Sequence, residues 1–156
     1  MTCASMKTRA MTLVAIGMAT ILTGACGSGA LEPAPLDTRN EQCRACQMMV
    51  SGRRFASQIV ARGEEPLFFD DLGCLATYLE KAPLAAGAVI FVADHRTSEW
   101  VTADRAVFSR VPTIDTPMGS HIVAHASEAS RAQDTAAAGG TVLTADAALG
   151  PGRVAR

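Results

Sequence analysis

Apolar positions recur along the chain with two different periods, and these place most of the elements. Arg53 to Ala61 alternates weakly, with Phe55, Ile59 and Val60 apolar, and reads as a strand, with a helical turn as the alternative. Gly63-Glu64-Glu65-Pro66 turns the chain into a short strand, Leu67-Phe68-Phe69. Leu72, Leu75, Ala76, Leu79 and Ala82 then recur at helical spacing. Asp70 or Asp71 supplies the cap for that helix and Pro83 the stop. Ala88 to Ala93 is a continuous apolar run, as expected of a strand central in its sheet. Asp94 to Ser98 turns again, with His95 in solvent. Trp100-Val101, Ala106 to Phe108 and Ile122 to Ala124 are further strands. Ala126 to Ala138 is alanine-rich and predicts a helix capped by Ser127 and stopped by Gly139-Gly140. Thr141 to Leu143 adds a last strand, and residues 146–156 read as a loose tail. The order predicts an α+β fold of two small ββα-type units spanning residues 40–145.

The first residues carry a different pattern. Lys7 and Arg9 precede an uncharged apolar run, Ala10 to Leu22, followed by Thr23-Gly24-Ala25-Cys26. A basic start, an apolar stretch of about a dozen residues and small residues before a cut describe a secretory signal over residues 1–25. The run is shorter than the ~20 residues that span a bilayer. The cysteine after small residues resembles a bacterial lipobox, which would make Cys26 the lipidated first residue of the mature protein. Residues 26–39, rich in Gly, Ala and Pro, would then be a flexible tether.

Composition matters chiefly for sulfur. The 156 residues include five cysteines and seven methionines, and the net charge of −1 argues against a nucleic-acid partner. Without residues 1–25 the chain has twelve bases against fifteen acids. Cys43, Cys46 and Cys74 remain as thiols, an odd number that a complete disulfide framework does not accommodate. Cys43-Arg44-Ala45-Cys46-Gln47-Met48-Met49 packs four sulfurs into seven residues. Cys74 falls in the first turn of the predicted helix, where the dipole is expected to lower its pKa. Met118 sits in a loop broken by Pro112 and Pro117, with His121 just beyond it.

Thiolate and thioether ligands select Cu(I), whereas zinc rarely takes methionine. A Cys-x-x-Cys by itself also fits a thiol redox pair, a structural disulfide or half a zinc site. Gln47 excludes a c-type haem attachment, which needs His there. Asp70 and Asp71 read as helix caps, and neither a Ser/His/Asp set nor a phosphate-binding glycine loop is present.

Five blocks together resemble the NosL family, nitrous oxide reductase accessory lipoproteins. They are Cys43-x-x-Cys46-x-Met48-Met49-Val50, Phe69-Asp70-Asp71-x-Gly73-Cys74, the apolar strand closing in Asp94, Trp100-Val101-x-Ala103, and Thr116-Pro117-Met118-Gly119-Ser120. Two positions depart from that pattern: Gln47, where the family usually has Gly, and His125, where an aromatic is commoner. The resemblance implies an organomercurial lyase-like fold. It also implies a periplasmic copper chaperone rather than an enzyme, anchored to the membrane of the cell envelope by lipid on Cys26. Its cargo would be Cu(I), and its partners nitrous oxide reductase and the ABC-type complex that assembles its copper–sulfide centre. Carried over by position, Cys46, Met48 and Met118 are the leading metal ligands, with Cys43, Met49, Cys74 and His121 behind them. The rival expectation is a periplasmic thiol–disulfide protein using Cys43 and Cys46.

Overall fold

The structure is a computed structural model that describes residues 29–154. The expected signal and the expected lipidation site, Cys26, lie outside the described residues. Within them, no helix is long and apolar enough to cross a membrane.

The chain forms two small antiparallel sheets flanked by helices, so the α+β class holds. In the first unit β1 (Ser57–Val60) is followed by β2 (Leu67–Phe69), α1 (Leu72–Lys81), β3 (Val89–Ala93) and β4 (Trp100–Thr102), with sheet order β2-β1-β3-β4. In the second, β5 (Val107–Arg110) is followed by β6 (Ile122–His125), α2 (Glu128–Gln133), β7 (Thr141–Leu143) and α3 (Ala145–Leu149), with sheet order β6-β5-β7. Both units therefore trace one path. A hairpin places the second strand on one side of the first, and the strand after the helix pairs on its other side, with β4 added beyond β3 in the first sheet. The sheets meet where Asp94 bridges Ala124 and the His95 N–H donates to the Ala124 carbonyl at 2.8 Å.

α1 forms for the reasons its sequence suggests. The Asp71 carboxylate accepts from the Gly73 N–H, and Leu72, Leu75 and Leu79 form one buried stripe. That stripe packs in the main core with Ile59, Phe69, Ile90 and Phe108, and with Leu149 of α3.

Four expectations change. Residues Arg53–Phe55 form a 3-10 turn, and the strand begins only at Ser57. Part of the expected tether, residues 26–39, is packed instead: Ala34 and Leu36 lie against Val50, Ala56 and Phe68. The buried Gln58 amide clamps Ala34 from both sides, accepting its N–H at 2.8 Å and donating to its carbonyl at 3.2 Å. The alanine-rich helix stops early, at Asp134, and a separate 3-10 turn covers Thr135–Ala137. Finally, the expected loose tail, residues 146–156, is structured over its first residues. Thr144 caps α3, and Ala148 and Leu149 are buried.

Candidate metal centre

The Cys-x-x-Cys loop is closed by its own backbone. The Cys43 N–H donates to the Met48 carbonyl at 2.7 Å, and the Gln47 N–H donates to the Cys43 carbonyl at 2.9 Å. Closing so tight a loop puts Gln47 at φ 63, in the left-handed region. The loop is pinned to the edge of the first sheet, where the Arg44 N–H donates to the Phe68 carbonyl at 2.8 Å. Its far end is held by Asp70, whose Oδ1 accepts from the Ser51 N–H and hydroxyl at 2.7 and 2.8 Å.

Asp71, the next residue, holds the other half of the site. One oxygen caps α1, and the other accepts the Met118 N–H at 3.0 Å. The Met118 loop docks directly on the first turn of α1, because residue 73 is glycine. A Cβ there would lie 2.9 Å from the Ser120 Cβ. Burial pushes the Asp71 carboxyl up. The Ser120 and Thr116 hydroxyls and the Met118 and Gly73 N–H groups outweigh it and hold the group below the usual carboxylate range.

These contacts assemble sulfur from three stretches of chain. The Sγ atoms of Cys43, Cys46 and Cys74 lie within 4.8 Å of one another, and all three are free thiols. Cys43 and Cys74 are buried, and Cys46 is half-buried. Cys46, Cys74 and Met118 line one cleft of about 340 Å³ with Ala45, Gly73, Thr77 and Ser120. Met48 and Met49 stay exposed on the same loop as Cys46. His121 is not brought into the group. Its Nδ1 faces the Ile114 carbonyl at 2.8 Å, at the far end of the Met118 loop.

The thiols are not equivalent. Burial pushes Cys43 up, but the N–H groups of Cys46, Asp70 and Ala45 outweigh it, so the thiol ionises more readily than an ordinary cysteine. Cys74 behaves oppositely to the expectation from its place at a helix start. Burial and the adjacent Cys43 and Cys46 push its pKa strongly up. Next to two other sulfurs in a dry setting, the helix terminus does not decide the matter. The arrangement offers one easily ionised thiolate, a partly exposed thiol beside it and a reserve proton on the third. A soft cation would be held by such a set.

A second convergence was not apparent from sequence. His95 Nδ1 and His125 Nε2 both contact Asp134 Oδ2, at 2.6 and 3.0 Å, and all three residues are buried. His95 is therefore a core residue rather than a solvated one. The only hint in the sequence is a lone Asp at position 134 inside an alanine-rich stretch.

Comparison with protein families gives a match to the NosL family model over residues 33–148. Comparisons with curated proteins and with solved structures return no match. The matched span begins beside Ala34, where packing against the first unit begins, and ends inside α3.

Proposed function

The chain belongs to the NosL family, which implies a copper-related function, and from that membership we propose that it is a Cu(I) carrier rather than an enzyme. The observation that carries this reading is the convergence of the Cys43, Cys46 and Cys74 thiols beside Met118. Cys46 and Met118 hold the ion in the cleft, with Cys43 contributing the more acidic thiol. Met48, exposed on the same loop, completes the soft set at the lip. Met49 and Cys74 remain secondary ligands, and His121, turned to the Ile114 carbonyl, drops out of the set.

Transfer follows from incomplete enclosure. Cys43 and Cys74 are shut in, so an acceptor ligand approaches from the side of Cys46 and Met118 and displaces them one at a time. Each exchange replaces one soft bond by another, so copper moves without a large barrier and without being released as a hydrated ion. The acceptor in this proposal is nitrous oxide reductase with its ABC-type assembly complex. A lipid on Cys26 would hold the carrier at the membrane facing the periplasm, raising its effective concentration near that complex. A thiol–disulfide role is less well supported, because the readily ionised thiol, Cys43, is 0% exposed and an attacking sulfur needs access.

The test is a Cu(I) titration of the reduced chain against a competing chelator. The Met48→Ala/Met118→Ala double variant should lose at least tenfold in affinity, and Cys46→Ser more. Unchanged affinity in the double variant would sink the thioether assignment. Thiol-exchange activity lost in Cys43→Ser and Cys46→Ser, with the methionine variants silent, would favour the redox alternative.

A further inference from the structure

We propose that His95, His125 and Asp134 form a second metal site, for a divalent ion of the zinc class, separate from the sulfur cluster. Three donor atoms from three parts of the chain lie within 4.8 Å of one another. They come from the turn after β3, the end of β6 and the break between α2 and the following 3-10 turn. Imidazole and carboxylate suit zinc, copper(II) or nickel, whereas the thiols and thioethers of the sulfur cluster suit Cu(I).

The geometry is close to what such an ion requires. Ligand atoms around tetrahedral zinc stand roughly 3.3 Å apart, given bonds of about 2.0–2.1 Å. The two His–Asp separations are 2.6 and 3.0 Å, so the donors need to open by roughly 0.7 and 0.3 Å to admit an ion. Asp134 presents one oxygen. Its Oδ1 is occupied by the Ala136 N–H at 3.1 Å, leaving Oδ2 between the two rings. Phe55 packs on the His95 ring at 5.3 Å between centroids, which orients the imidazole and keeps water away.

His125 Nδ1 is buried and makes no hydrogen bond, so no acceptor there fixes the tautomer. Asp94 adds a second buried carboxylate nearby, accepting from the Ala126 N–H and the Ser130 hydroxyl at 2.8 and 2.6 Å. Arg96 donates to the same Ser130 hydroxyl at 3.2 Å, so within the site itself the balancing charge for a dication is the Asp134 carboxylate. Because His95 follows the first sheet while His125 and Asp134 belong to the second unit, a bound ion would lock the two units together.

The experiment uses the full chain with all five cysteines changed to serine, so that no thiolate competes. Co(II) is expected to give the visible bands of a tetrahedral nitrogen–oxygen site at one ion per chain, and Zn(II) to displace it and raise the melting temperature. His125→Gln and Asp134→Asn should each weaken binding at least tenfold. No bands in a chain with native circular dichroism overturns the proposal, as do bands unchanged in both variants. If the serine chain fails to fold, equilibrium dialysis of Zn(II) with the wild-type chain and His125→Gln decides. One ion fewer on the variant supports the site, and equal numbers overturn it.

Discussion

Gly73 and Ser120 approach so closely that a Cβ on Gly73 would lie 2.9 Å from the Ser120 Cβ. This contact seats the Met118 loop on α1, and with it the thioether beside Cys74. Gly73→Ala should push the loop away. A helix gains about 1 kcal/mol from alanine over glycine, and the clash costs about 1–3 kcal/mol, so the net loss of stability is about 0–2 kcal/mol. Cu(I) affinity should still fall about tenfold. Chelator competition and a thermal melt on the same sample separate the two effects, and Ser120→Gly should restore part of the lost affinity.

Gln47 occupies a left-handed position at φ 63, a conformation that costs a side-chain-bearing residue roughly 1 kcal/mol. Gln47→Gly removes that cost at the expense of one exposed bond to the Arg44 carbonyl. The melting temperature should hold or rise, with Cu(I) affinity retained. Gln47→Val should lower it, since a β-branched residue tolerates positive φ poorly.

Asp94 links acidity to stability. Burial pushes its carboxyl up, but the Ala126 N–H, the Ser130 hydroxyl and the Thr97 and Arg96 N–H groups outweigh it and hold it at about 2. A group depressed in the folded state stabilises the fold above its unfolded value near 4, and that contribution disappears as pH falls toward 2. The shift corresponds to on the order of 2 kcal/mol. Denaturant midpoints measured from pH 6 to pH 2 should fall with acidity in the wild type. Asp94→Asn should start lower and fall less steeply.

Leu149 is 0% exposed and sits in the main core although it lies close to the chain's end. Leu149→Ala should cost about 2–5 kcal/mol. A chain ending at Thr144 should melt at a markedly lower temperature by circular dichroism.

The elements legible in the sequence were those set by local rules. Leu67–Phe69, the Asp71 cap with its leucine stripe, and the central run ending at Ala93 all follow from periodicity and capping. What escaped depended on contacts distant in sequence. The alanine-rich helix breaks at Asp134, whose Oδ1 caps the following 3-10 turn through the Ala136 N–H. Its Oδ2 turns to His95, 39 residues away. Ala34 gives no local sign of packing, because its partner is the amide of Gln58. The sulfurs were visible as a composition, whereas their convergence needed Asp70 and Asp71 to grip two separate segments. The helix-start argument for Cys74 failed for the same reason, since its neighbours in space are other thiols.

The unequal exposure of the three thiols has a consequence for oxidative damage. A second molecule can reach a sulfur only where it meets solvent. Among the described cysteines, that leaves Cys46, with Cys43 at 0% and Cys74 at 6% exposure. Cross-linked dimers formed through the folded domain in an oxidising medium should therefore join at Cys46 and leave the inner pair intact. Because Cys46 also lines the cleft, an ion seated there would shield the one sulfur that a neighbouring chain can attack.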